Sequence, residues 1–188
     1  MVTRAGKSPE ARILAEIGPV VSAIRPAATE RFVERILAAD QVFVVGRGRT
    51  GLVVGAFGMR LMHLGLRVFM VGEITTPKIG PRDLLIACSG SGAARTVTQM
   101  LRIAQRARAA IVSLSYNARA PIARPASVFV HVPTPNLRAR GRARHTVQPL
   151  GSLFEQALFV YLDAVVLRVM QRLRVTPDDM AARHTNLE

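Results

Sequence analysis

At 188 residues the chain is long enough to bury one hydrophobic core without disulfides, metals or a second domain. Hydrophobic residues make up 49% of it, but in short runs broken by Gly, Pro, Arg or Asp, so no transmembrane helix is expected. The formal charge of +14 suits a phosphate-bearing partner, yet lysine occurs only at Lys7 and Lys78, and arginine is spread along the chain beside alanine. The one local cluster, Arg138, Arg140, Arg142 and Arg144, lacks the interleaved aromatics of a base-stacking platform and reads as a solvated loop or subunit contact. Nucleic acid is therefore not expected as the primary partner. The lone Cys88 ends an apolar run and reads as a small core hydrophobe. No apolar signal core follows the charged N-terminus, and a cytoplasmic protein is expected.

In chain order, Ser8 and Pro9 form an N-cap and first helical residue, with Ile13, Leu14, Ile17 and Val20 apolar after them. A second helix is predicted over 27–39, with Phe32, Ile36 and Leu37 on one side. Short apolar runs then alternate with helical patterns. Strands are predicted at 42–45, 68–71, 84–87, 110–114 and 128–132, and helices over 50–64 and 93–107. An irregular stretch over 133–149 leads to a helix over 151–173 that is apolar around most of its circumference, as in a helix buried between subunits. Thr176 and Pro177 start a short final helix. The βαβ rhythm and continuously apolar strands predict a three-layer α-β-α fold of the α/β class, with a parallel sheet covered on both faces. No internal domain boundary is visible. The chain divides into N-terminal helices (1–40), a sheet core (41–132), and C-terminal helices and tail (150–188).

Ligands of open α/β sheets bind beyond the carboxyl ends of the strands. Gly46-Arg47-Gly48-Arg49-Thr50-Gly51 follows the first strand, and Ser89-Gly90-Ser91-Gly92 follows the third, each running into a helix. Glycines admit an anion close to backbone amides, the helix N-terminus adds partial positive charge, and the hydroxyls of Thr50, Ser89 and Ser91 can donate to phosphate oxygens. The alternative is a pair of tight strand-to-helix turns. Gly46, Gly48 and Gly51 also spell the dinucleotide fingerprint, with Glu73 spaced as its acidic residue, but the second loop suits one compact phosphate better.

Several stretches resemble the sugar isomerase (SIS) family, and within it the 6-phospho-3-hexuloisomerases. They are Gly48-Arg49-Thr50-Gly51-Leu52, Met59 to Gly65, Val71-Gly72-Glu73, Ser89 to Gly92, Gln148 to Glu155, and His184-Thr185-Asn186-Leu187-Glu188. The resemblance implies a flavodoxin-like sheet, a phosphosugar substrate, and interconversion of 3-hexulose 6-phosphate and fructose 6-phosphate through an enediol. It also implies no metal or organic cofactor, a homotetramer with shared sites, and a hexulose-phosphate synthase as pathway neighbour.

Moving a carbonyl along a sugar needs a base for a carbon-bound proton, a shuttle for the hydroxyl proton, and donors for the developing oxyanion. The resemblance assigns the base to Glu155 and the shuttle to His63 or His184. On sequence alone Glu155 also fits a helix-start glutamate stabilised by the macrodipole, His63 a satisfied core histidine, and His184 a surface residue. Arg49 would face the phosphate or enediolate, with Arg47 as an additional electropositive contributor; either also fits a solvated surface arginine, which is the preferred reading of Arg47. Glu73 would orient sugar hydroxyls or pair with an arginine. His131 and His145 have no such support. The family's second loop continues with Glu-Thr where this chain has Ala93 and Ala94, which predicts weaker phosphate binding. The first loop carries Arg47 and Thr50 where the family usually has alanine and serine. These departures keep two alternatives open: a non-catalytic phosphosugar sensor, and an isomerase of another phosphosugar such as a pentose 5-phosphate.

Overall fold

Ser8 caps the first helix as its sequence suggests: its hydroxyl accepts the Ala11 amide at 3.3 Å, and Pro9 opens α1, Pro9–Ser22. The computed structural model describes residues 8–135 and 146–187. The arginine cluster at 138–144, His145 and Glu188 lie outside the described residues.

α2 (Pro26–Leu37) buries Phe32, Val33 and Ile36. Five strands follow: β1 (Val42–Val45), β2 (Val68–Met70), β3 (Leu84–Cys88), β4 (Ala110–Ser115) and β5 (Val128–His131). They form one parallel sheet in the order β2-β1-β3-β4-β5, the flavodoxin-like arrangement. Between β1 and β3 the chain reverses its direction of winding, and their register sets Val45 beside Ala87. The loops that leave these two strands therefore start side by side, at the switch point where such sheets bind ligands.

Alternate strand residues face opposite layers. On one face Val42, Val44, Leu84, Ile86 and Cys88 pack under α1, α2, α3 (Gly48–His63) and α5 (Ser152–Leu173). On the other, Phe43, Val45, Leu85 and Ala87 pack against Val97, Leu101 and Ala104 of α4 (Arg95–Arg106), with Ala120 and Ile122 from the loop after β4. Among the described residues α4 is the only helix on that second face. The Phe32 and Phe57 rings, 6.1 Å apart, tie α2 to α3, and truncating a buried ring of this kind to alanine costs about 3–5 kcal/mol.

The structure corrects several sequence expectations. α3 starts at Gly48, before its apolar periodicity begins, and α4 is shorter than predicted at both ends. Leu14 is 69% exposed, because Ile17 and Val20 set the inner face of α1 and Leu14 lies to one side of it. Ile103 likewise points away from the Val97–Leu101–Ala104 face of α4. α5 buries Phe154, Leu158, Leu162, Val165 and Val169 but leaves Phe159, Val160 and Leu167 exposed. At the C-terminus Thr176 forms a capping box with Asp179 and begins α6 (Pro177–Ala181). Arg183 then donates to the His63 carbonyl at 3.1 Å, holding the tail under the end of α3. Among the described residues no helix is long and apolar enough to cross a membrane.

Candidate active site

The turn from β1 into α3 is built on backbone contact. A Cβ on Gly46 would lie 3.0 Å from the Gly51 Cα, and one on Gly51 would lie 3.0 Å from the Gly46 carbonyl oxygen. These two glycines let helix and strand touch, so they act in packing rather than on a ligand. Gly48 adopts a left-handed φ of +56° with open space around it, and it turns the chain so that Arg49 and Thr50 stand at the carboxyl edge of the sheet.

The loop after β3 is held from within. Ser89 Oγ accepts the Gly92 amide at 3.2 Å, and Ser91 Oγ accepts the Ala93 amide at 3.4 Å. The Ser115 hydroxyl donates to the Gly90 carbonyl at 2.7 Å, a brace from β4 that no sequence signal marked. Each serine hydroxyl that accepts an amide proton keeps its own proton to donate outward, as a phosphate oxygen requires. Gly92 sits at φ +67°, and a Cβ there would come within 2.3 Å of the Ala120 Cβ.

Three helices begin at this edge, α3, α4 and α5, and none has a side-chain hydrogen bond at its N-cap. Of the other helices, α1 and α6 are capped by Ser8 and Thr176, while α2, preceded by Arg25, is also without a side-chain cap. The uncapped first-turn amides and helix dipoles around the loop of Ser89 to Gly92 favour a bound anion.

Glu155, in the first turn of α5, faces this edge with its side chain 15% exposed. Thr50 Oγ1 donates to its Oε1 at 3.5 Å, and the Arg49 guanidinium stands 3.4 Å from Oε2. The same Arg49 Nη1 donates to the buried Ser152 Oγ at 2.8 Å, so Ser152 fixes the guanidinium beside the carboxylate. Phe154 closes the apolar side, 5.9 Å from Tyr116 and against Gly90. The structure thus brings together Gly48, Arg49, Thr50, Ser89, Gly90, Ser91, Gly92 and Glu155. A carboxylate stands beside an anion cradle and a half-exposed guanidinium, which equips the site to take a proton from a phosphorylated ligand and stabilise the resulting negative charge.

His63 and His184, the two predicted shuttles, lie away from this edge. His63 is buried at the far end of α3, its Nδ1 3.3 Å from Arg60 Nη1, and its ring is 5.2 Å from that of His184. The two predicted shuttles therefore meet, but the 16 residues of α3 set them about 22 Å from its N-terminus. Glu73 is exposed on the turn after β2, where its amide donates to the Met70 carbonyl, and it forms no ion pair among the described residues. Arg47 is exposed at the N-cap of α3. His131 Nε2 is engaged with the Tyr116 carbonyl at 2.9 Å. Cys88 is fully buried and its thiol pKa is pushed up by that burial, in keeping with a core role.

Glu16 of α1 was invisible to sequence reasoning. Its carboxylate accepts from the Val147 amide at 2.8 Å, the Thr146 hydroxyl at 2.8 Å and the Gln148 side-chain amide at 3.0 Å. Partial burial raises its pKa, but these three bonds and the nearby Arg12 charge outweigh that and hold it below the ordinary carboxylate range. Glu16 thereby anchors the segment that leads into α5.

The SIS domain family model matches residues 35–153. The 3-hexulose-6-phosphate isomerase of Bacillus subtilis is 35% identical over 179 residues, covering 95% of this chain and 96% of the relative. A protein of the same name from Mycobacterium gastri is 36% identical, covering 92% and 86%. Among solved structures, a hypothetical protein from Methanococcus jannaschii, inferred from its structure to be a 3-hexulose-6-phosphate isomerase, superimposes with a TM-score of 0.82 at 27% identity, covering 94% and 97%. The sugar isomerase domain of an RpiR transcription factor from Sphaerobacter thermophilus shares the fold, with a TM-score of 0.71 at 24% identity over 91% of this chain and 90% of that one.

Proposed function

The chain belongs to the SIS domain family, and from that premise we propose how it acts as a sugar-phosphate isomerase interconverting 3-hexulose 6-phosphate and fructose 6-phosphate. The observation that carries the mechanism is Glu155, held by Arg49 and Thr50 beside the loop of Ser89 to Gly92. The substrate phosphate sits on that loop and on the uncapped start of α4, with Ser89 and Ser91 donating. Glu155 takes the proton from C2 of 3-hexulose 6-phosphate to give the C2–C3 enediolate, the O2 hydroxyl proton passes to O3, and protonated Glu155 returns its proton to C3, leaving the carbonyl at C2 and a hydroxyl at C3. Arg49 neutralises the enediolate oxygens, and its half-exposed position lets it follow the charge. Glu73 lies on the neighbouring strand-end turn, within the same rim, as a contact for sugar hydroxyls.

His184, exposed on the tail, enters this scheme from another subunit, with the buried His63 ring behind it as its partner in the shuttle. Their distance from Glu155 along α3 supports a homotetramer in which one chain's histidine pair completes a neighbour's site. Exposed Leu52 and Met59 on α3, and Phe159 and Leu167 on α5, are the apolar surface such an assembly would cover. A phosphosugar substrate and a lone reduced cysteine suit the cytoplasm, with a hexulose-phosphate synthase supplying the substrate.

Ala93 and Ala94 favour a second reading, a module that binds phosphosugars without turning them over. A coupled assay following fructose 6-phosphate from 3-hexulose 6-phosphate, run beside a pentose 5-phosphate, separates the two. Turnover of the hexulose phosphate alone supports the isomerase, while turnover of the pentose phosphate assigns another substrate. A melting temperature raised by phosphosugars with no turnover supports the sensor.

A further inference from the structure

From Leu84 to Phe154 the sequence contains ten arginines and no Asp or Glu. Six of those arginines lie in the described residues, Arg95, Arg102, Arg106, Arg108, Arg119 and Arg124, and all six are exposed. They belong to α4, its C-terminal turn and the loop after β4. None forms an ion pair among the described residues, and this stretch of sequence holds no carboxylate to supply one; of the thirteen other described arginines four are paired, Arg82 with Asp40, Arg168 and Arg172 with Glu30, and Arg49 with Glu155.

Arg95, Arg102 and Arg106 are spaced i, i+7 and i+11, so they line one stripe of α4 over about 16 Å. Arg102, Arg119 and Arg124, with Thr98 and Gln105, surround a cleft of about 470 Å³ between α4 and the following loop. Arg95, Arg102 and Arg106, with Gln99, border a second of about 720 Å³. The two clefts share Arg102 and make one continuous cationic surface on the sheet face that α4 and the loop after β4 cover.

We propose that this surface binds the sugar-phosphate backbone of a nucleic acid without regard to sequence. Unneutralised like charges repel one another, and an extended polyanion removes that cost. Planar guanidiniums pair with phosphate oxygens two at a time, and Thr98, Gln99 and Gln105 supply neutral donors between them. No exposed Phe, Tyr or Trp lies between 84 and 135, and the exposed ring of His131 already stacks on Phe129 and bonds the Tyr116 carbonyl, which leaves the contacts with the backbone. A protein partner would need an apolar centre, and this surface offers only Ile103 among exposed large hydrophobics. An isologous contact through this face with a second copy of the chain would set one arginine stripe against another, which like-charge repulsion disfavours.

Fluorescence polarisation of a labelled 20-base-pair DNA duplex and an RNA of matching sequence tests the proposal against Arg102→Ala/Arg119→Ala/Arg124→Ala. Both probes should bind the wild type at 50 mM salt, and four or more phosphate contacts predict an affinity loss of about a hundredfold or more at 200 mM. The triple variant should lower the salt slope by about three while retaining isomerase activity and melting temperature. Absence of binding at 50 mM salt, or equal binding by the triple variant, overturns the proposal. So does equally strong competition by polyglutamate or anionic lipid vesicles at matched charge. Displacement by millimolar fructose 6-phosphate would place the probe in the isomerase site instead.

Discussion

Mixing two inactive variants tests whether the site is shared between chains. Sixteen residues of α3 separate the Arg49–Glu155 end from the His63–His184 end by about 22 Å, too far for one small sugar to touch both in a single chain. Glu155→Gln removes the base, and His184→Ala removes a shuttle from an exposed tail position, so neither change opens a cavity in the core. Each alone should lower kcat by about a hundredfold or more, the usual range for a positioned acid or base. In a tetramer of co-expressed chains, a site needs Glu155 from one chain and His184 from another. Random assembly gives both intact groups to about a quarter of the sites, so the mixture should recover about a quarter of wild-type activity. A mixture no more active than its components, or a fully active His184→Ala, refutes the shared site.

Gly92→Ala forces a left-handed residue, about 1–2 kcal/mol, and drives a methyl into Ala120, about 1–3 kcal/mol more. Its melting temperature should fall by roughly 5–15 °C, with part recovered in Gly92→Ala/Ala120→Gly. Ala94→Thr supplies a side-chain cap that α4 lacks, so thermal denaturation should show a gain of about 1 kcal/mol, and KM for the phosphosugar should fall several-fold. Glu16 has a lowered folded pKa, so its stabilisation is complete above the carboxylate range of the unfolded chain and is lost as pH falls through the folded value. Urea midpoints measured downward from pH 7 should fall through that window in the wild type and less in Glu16→Gln, which itself costs about 1–2 kcal/mol.

Local patterns carried most of the fold. Ser8-Pro9 and Thr176-Pro177 mark helix starts because a cap is a short-range chemical event, and continuously apolar strands mark a sheet buried on both faces. The glycine and serine loops were readable as an anion site, since strand ends in a parallel sheet fall on one edge. The roles within a loop were not: Gly46 and Gly51 serve helix-strand contact, which depends on a partner backbone rather than on spacing. Glu16 meets Thr146 across 130 residues, and Ser152 meets Arg49 across 103, contacts that no local periodicity encodes. The resemblance supplied His63 and His184 as site residues, but their meeting at the opposite end of α3 from Glu155 follows only from the folded tail.

Glu155, as the proposed base, removes a carbon-bound proton from the phosphosugar. Fructose 6-phosphate incubated in D2O with the wild type should gain deuterium at C3, read by proton NMR as loss of that signal, and Glu155→Gln should leave it unlabelled over the same period. Deuterium appearing at C3 equally fast with Glu155→Gln would contradict the assignment of the base.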